Sequence, residues 1–322
     1  MVLSPLLGFY LLLAMTLLIS FSSSSPYMMW VSLELNMLSF LPIMSSEMGL
    51  ALENTMKYFL VQSWASIVFL MGIFFSVLFW ESMMYLSMLG VMLKLGAAPL
   101  HGWFISILKT CSLWVLVFLS SVQKMIPLMI LSNLHISSFL MLVFSMSTFL
   151  FVMVSLPGAI SLNKILALSS MGNLIWFLVS SQVQMKLFML FMFIYILLLL
   201  GVLLLYKKTG LNQFMQINGM VFTDKIMMLF VFMSLGGLPP LLGFLGKLVI
   251  LKNIMMYMNM VFLVMLIYTS LMILYNYISR MFFLLNYMPS IKYCFKAEPS
   301  LLKKTTYLMS VVGFNLFMVM PI

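Results

Sequence analysis

The chain has 322 residues, of which 65% are hydrophobic and 7% charged, against roughly 25% charged in a soluble domain. Too few polar side chains remain to cover a water-facing surface, which excludes a soluble globular protein. The formal charge of +10 would suggest nucleic acid in a soluble protein. Here the basic residues fall mostly at the ends of apolar segments, so membrane topology accounts for them and no nucleic-acid partner is expected.

Apolar stretches long enough to cross a bilayer recur from end to end. In chain order they predict eleven spans, at 4–22, 26–45, 57–80, 82–106, 111–131, 137–156, 163–181, 187–206, 226–251, 257–279 and 305–321. The fold class expected is an all-α polytopic membrane protein. The first stretch, "MVLSPLLGFYLLLAMTLLISFSSSSP", lacks the basic region of a secretory signal, and its apolar run is too long for one. It is read as a transmembrane helix. There is no Arg-rich transit segment, so an organellar protein of this kind would be made inside the organelle. The 38 methionines would suit a genome with Met-biased decoding.

The second span carries Glu34 near its middle, in "MMWVSLELNMLSF". The fourth carries Lys94 in "VMLKLGAAPLHGWF", with Gly96 and Pro99 directly after it and His101 next. The fifth holds Lys124 in "SSVQKMIPLM", just before Pro127. The ninth reads "SLGGLPPLLGFLGK", placing Gly236, Gly237, Pro239 and Pro240 ahead of Lys247. Proline removes a backbone donor and glycine loosens a helix, so the fourth and ninth spans are expected to be broken. Carbonyls freed at membrane depth are tolerated only where protein or a hydrated cavity satisfies them.

The two broken spans are five helices apart, and five is odd, so a repeated five-helix unit would be inverted in the membrane. Residues 1–131 and 137–279 are therefore expected to form an inverted repeat, with 305–321 as an added helix. Charge counting gives orientation. Eleven Lys and Arg fall on the N-terminal side and two, Lys186 and Lys252, on the other. That places the N-terminus in the cytoplasm or matrix.

A charge at the centre of a span costs roughly 2.5–3.5 kcal/mol on insertion scales. A buried ionisable group near an opposite charge can be driven between protonation states. Glu34 and Lys94 make an acid–base pair suited to a proton path if their helices are neighbours; the alternative is a static ion pair joining two helices. Lys164 and Lys247 lie near span ends, where long side chains also snorkel to the headgroups. His101 is either a relay residue or interfacial, and His135 sits in a short loop as a surface residue.

"GFLGKL" lacks the upstream glycine and the Ser or Thr of a phosphate loop. Cys111 and Cys294 stand far apart, and no His/Cys cluster has the spacing for zinc, haem or iron–sulfur. No metal, cofactor or nucleotide site is expected in this chain. Any driving chemistry would be in a partner.

"LKLGAAPLHGWF", "QKMIPLMI", "LNKILALSSMGNLIW" and "SLGGLPPLLGFLGK", in this order and after "VSLELNMLSFLP", resemble the antiporter-like membrane subunits of mitochondrial respiratory complex I, of the animal chain 2 type. The resemblance covers about residues 26–280. It implies a proton-translocating subunit of the membrane arm of an NADH:ubiquinone reductase in the mitochondrial inner membrane, with the N-terminus on the matrix side. NADH, FMN, iron–sulfur clusters and ubiquinone would belong to the complex, with other membrane-arm subunits and phospholipid, cardiolipin among it, as partners. It also implies that Glu34, Lys94, Lys124 and Lys247 carry the proton. This chain differs from the family pattern in reading Leu100-His101-Gly102-Trp103 after the first break, and in flanking Lys247 with Gly246 and Leu248. A cation/proton antiporter outside a redox complex would share the broken helices and buried lysines. A scaffold whose buried charges only fix helix packing is the third reading.

Overall fold

The computed structural model describes residues 3–48, 52–78, 84–134, 138–209, 222–255 and 260–285. All regular structure among them is helical. Three long helices come first: α1 (Leu3–Ser22), α2 (Pro26–Met48) and α3 (Leu52–Leu78). Two interrupted pairs follow, α4 (Met84–Leu95) with α5 (Gly102–Thr110), and α6 (Leu113–Ser120) with α7 (Val122–Asn133). Next are α8 (Ser138–Ser155), α9 (Leu162–Val183) and α10 (Met185–Thr209). A third interrupted pair, α11 (Phe222–Gly236) with α12 (Leu242–Ile254), precedes α13 (Met260–Leu285).

Each of the first ten expected spans is thus occupied by one helix or by an interrupted pair. The expected eleventh span at 305–321, together with His135 and Cys294, lies outside the described residues. Two boundaries differ from the hydropathy reading. α3 starts at Leu52 rather than 57 because Glu53 and Lys57 form an i,i+4 ion pair in its polar first turn, an arrangement that supports a helix without raising hydropathy. The span at 111–131 is interrupted at Ser121, whose φ of −118° and ψ of −80° are not helical. Ser120 and Ser121 both donate their hydroxyls back to the Val117 carbonyl, at 3.2 and 2.5 Å, and such back-bonding bends helices.

The chain packs as two compact units, Met1–Phe151 with Phe177–Met185, and Val152–Trp176 with Lys186–Ile322. These units describe packing, whereas the expected five-helix repeat concerns the order and direction of helices. In the first unit α2 and α4 both pack on α3, and α7 packs against α1, α2, α4 and α6. The α3–α4 crossing is close because glycine stands on both sides. A Cβ on Gly90 would lie 2.7 Å from the Ala65 carbonyl oxygen, and one on Gly72 would lie 2.7 Å from the Ser87 Cα. Small residues let helix backbones approach in this way. Phe40, Phe69 and Phe104 are buried beside this crossing's unit core, and Phe40 meets Tyr58 edge-on at 5.5 Å. In the second unit α11 packs on α12 and α13. The Tyr277 hydroxyl on α13 donates to Ser169 Oγ on α9 at 2.7 Å.

Candidate functional site: two capped helix breaks and their lysines

The first break begins where α4 ends. Gly96, with φ of +68°, donates its N–H to the Leu93 carbonyl, and Ala97 donates to the Met92 carbonyl, both at 3.1 Å. This is the Schellman cap, in which a left-handed residue folds two N–H groups back over the last turn, and glycine takes that conformation without penalty. Side chains also reach carbonyls of this break. Trp103 Nε1 donates to Leu93 O at 3.1 Å, Gln62 Nε2 to Lys94 O at 3.4 Å, and Ser147 Oγ to Ala98 O at 2.5 Å. The Ala98–Pro99 peptide is cis. His101 is the N-cap of α5 but makes no side-chain cap. Its Nδ1 is buried without a hydrogen-bond partner among the described residues, and its ring lies against Phe151.

The second break repeats the construction. Gly237, with φ of +88°, donates to Ser234 O at 3.1 Å and Leu238 donates to Met233 O at 3.1 Å. Both caps therefore read Gly-x-x-Pro, Gly96 to Pro99 and Gly237 to Pro240, a match that hydropathy alone does not reveal. The lysines fall on opposite sides of the two breaks. Lys94 is in the last turn of α4, before Gly96, whereas Lys247 is on α12, after Gly237. Lys247 is 3% exposed and turns inward rather than towards a surface. Its ammonium donates to the Gly236 carbonyl at 2.9 Å and stands 5.9 Å from the Trp176 ring centroid.

Lys94 is 6% exposed and Lys124 2%. Lys124 follows the Ser121 interruption, and its ammonium lies 4.6 Å from the centroid of the Phe104 ring, a cation–π distance. Lys94 and Lys124 line one small cavity with Asn36, Tyr58, Gln62 and Gln123. Its volume, about 10 Å³ of room for water centres, is close to the least that holds one water. Gln123 Oε1 accepts from Asn36 Nδ2 at 2.7 Å and from the Tyr58 hydroxyl at 3.2 Å. This uncharged polar cluster is the part of the site that a search for charges misses. Its signal in the sequence is the placing of Asn36 and Gln123 beside Glu34 and Lys124 in otherwise apolar helices.

Glu34 is half-buried on α2. Among the described residues it forms no ion pair with Lys94 within 4.0 Å; that contact is made by Glu53 and Lys57. α2 and α4 each pack on α3 and α7. Lys164, at the start of α9, is half-buried.

Two broken, capped helices with a buried lysine at each define an antiporter-like membrane protein. Residues 78–274 match the NADH:quinone oxidoreductase/Mrp antiporter transmembrane family. NADH-ubiquinone oxidoreductase chain 2 of Anopheles gambiae is 32% identical over 298 residues, 87% of this chain and 86% of its own length. Its counterpart in Artemia franciscana is 34% identical over 244 residues, 74% and 77% of the two chains. Among solved structures, a chain of respiratory complex I from Thermus thermophilus with bound aureothin superposes with a TM-score of 0.76 at 19% identity, covering 97% of this chain and 77% of that one. A chain of the Mrp complex from Dietzia superposes with a TM-score of 0.68 at 15% identity, covering 84% and 59%. The chain belongs to the NADH:quinone oxidoreductase/Mrp antiporter family and, within it, to the NADH-ubiquinone oxidoreductase chain 2 family.

Proposed function

We propose that this chain is the antiporter-like, proton-translocating subunit of the membrane arm of respiratory complex I. It couples NADH:ubiquinone electron transfer in partner subunits to proton movement through its own buried lysines. The observation that carries this reading is the burial of Lys94, Lys124 and Lys247, each beside an interruption in its helix. A membrane helix tolerates a buried ammonium and freed carbonyls when they serve a path for ions.

In this reading Glu34, Lys94, Lys124 and Lys247 are the proton-carrying groups. Lys94 and Lys124, which line one cavity, exchange a proton in the first unit. Lys247 carries it in the second, supported by the Gly236 carbonyl. A change of charge near Glu34, driven by quinone reduction elsewhere, would alter the field at Lys94 and start the transfer. NADH, FMN, iron–sulfur clusters and ubiquinone are held by partner subunits, and this chain contributes no redox centre. The protein lies in the mitochondrial inner membrane, with eleven spans in an inverted repeat, the N-terminus on the matrix side, and phospholipid, including cardiolipin, around it. The basic residues at span ends support that orientation.

The test is a native gel of a mild-detergent membrane extract, stained for NADH oxidation and searched for peptides of this chain. Peptides in a very large NADH-oxidising band are expected. Migration as a small species without that activity would favour a cation/proton antiporter outside a redox complex.

A further inference from the structure

We propose that Gln123 is a positioning residue for proton exchange between Lys94 and Lys124, holding one ordered water in the cavity that both lysines line. The inference rests on the function proposed above. It names an uncharged residue that a family-level reading of the charged groups does not include.

Gln123 is hydrogen-bonded through both ends of its amide. Its Oε1 accepts from Asn36 Nδ2 at 2.7 Å and from the Tyr58 hydroxyl at 3.2 Å, and its Nε2 faces Asn36 Oδ1 at 3.5 Å. Three helices, α2, α3 and α7, thus fix one amide. The carbonyl oxygen has both lone pairs in use and one of the two amide hydrogens is directed at Asn36, which leaves a single N–H for the cavity. That cavity is lined by both lysines and by Gln62 and Gln123, and it is just large enough for one water. A water there has donors and acceptors on several sides, as a buried water requires.

The exchange balances without any electron transfer. One ammonium gives a proton to the water oxygen while the water passes a different proton to the neutral amine opposite. One lysine becomes neutral, the other becomes charged, and the water is restored. An amide gains or loses no proton in this step, so Gln123 acts only by aiming the water. Gln62 is tied to the Lys94 carbonyl and fixes the other end of the cavity.

The bland alternative is that Asn36, Tyr58 and Gln123 only hold three helices together, which would move assembly and thermal stability and nothing else. The test uses the assembled complex in sealed vesicles, with proton flux measured against NADH oxidation, for Lys94→Met, Gln123→Met and Gln123→Glu. The component of flux lost in Lys94→Met is expected to fall about tenfold or more in Gln123→Met, since small misplacements of reacting groups cost up to about a hundredfold. Gln123→Glu, which keeps an oxygen for Tyr58, is expected to recover part of it with an altered pH profile. Normal flux in Gln123→Met beside lost flux in Lys94→Met overturns this inference and leaves the proposed function standing. Normal flux in Lys94→Met overturns the function on which it rests. If Gln123→Met does not assemble, a cryo-EM map of the unmodified complex that resolves waters decides the matter. Density for a water between the two lysines supports the inference, and a dry cavity overturns it.

Discussion

The Lys247 ammonium donates to the Gly236 carbonyl at 2.9 Å, so this lysine completes the backbone of the break beside which it stands. Gly236 closes α11, and its carbonyl has no further turn of helix to accept from. Replacing Lys247 by Met removes the donor and leaves the oxygen buried. A stranded buried acceptor costs about 1–3 kcal/mol. Hydrogen exchange of the assembled complex is expected to speed up across 236–242 and to stay unchanged around Gly96. Unchanged exchange at the second break would show that another donor replaces the lysine.

Gly237 is required twice over. Its φ of +88° is left-handed, and a Cβ there would lie 2.9 Å from the Lys247 Nζ. Gly237→Ala is expected to lose about 1–2 kcal/mol from backbone strain and also to displace the ammonium, lowering proton flux. Gly96→Ala has the same backbone problem, with φ of +68°, but its Cβ would press on Phe104, over which Lys124 lies. Thermal unfolding and proton flux measured on the two variants should both fall. Full activity in either one would show that the cap is not needed.

Trp103, which is half-buried, and Trp176, which is buried, should respond differently to loss of the indole N–H. Trp103 Nε1 donates to the Leu93 carbonyl at 3.1 Å, whereas Trp176 Nε1 has no hydrogen-bond partner among the described residues. Trp103→Phe is expected to cost about 1 kcal/mol more than the volume change alone, read as a lower midpoint in thermal inactivation of NADH oxidation. Trp176→Phe carries no such extra loss. Equal losses in the two would argue that a water serves Trp176.

At the α3–α4 crossing, Gly90→Val puts a branched side chain where even a Cβ would lie 2.7 Å from the Ala65 carbonyl and from the Phe69 backbone. Backbone cannot give way as a flexible side chain can, so the helices must separate. The complex is expected to assemble poorly, seen as loss of the large NADH-oxidising band on a native gel. Normal assembly would mean that the crossing is looser than drawn.

Sequence reading locates the first ten spans, the two breaks and the buried lysines because each depends on local signals: hydropathy, Gly and Pro, and charge. It missed the interruption at Ser121, since a pair of serines bends a helix by hydrogen bonding back to Val117 and not by any loss of apolar character. It also leaves open whether the helices of Glu34 and Lys94 are neighbours, since the packing of α2 and α4 on α3 and α7 is a fact that no single span contains. The Asn36–Tyr58–Gln123 cluster was out of reach for the same reason. Its members come from three helices and carry no charge.

Lys247 is held by a backbone oxygen and not by a carboxylate. A lysine held by a carboxylate is released when either partner changes its protonation. A carbonyl has no proton to take or give, and a neutral amine still has hydrogens to donate to it. Lys247 can therefore keep its place at Gly236 whether it is charged or not, so that the side chain's location is uncoupled from its charge and a passing proton need not be followed by a swing of the arm that carried it.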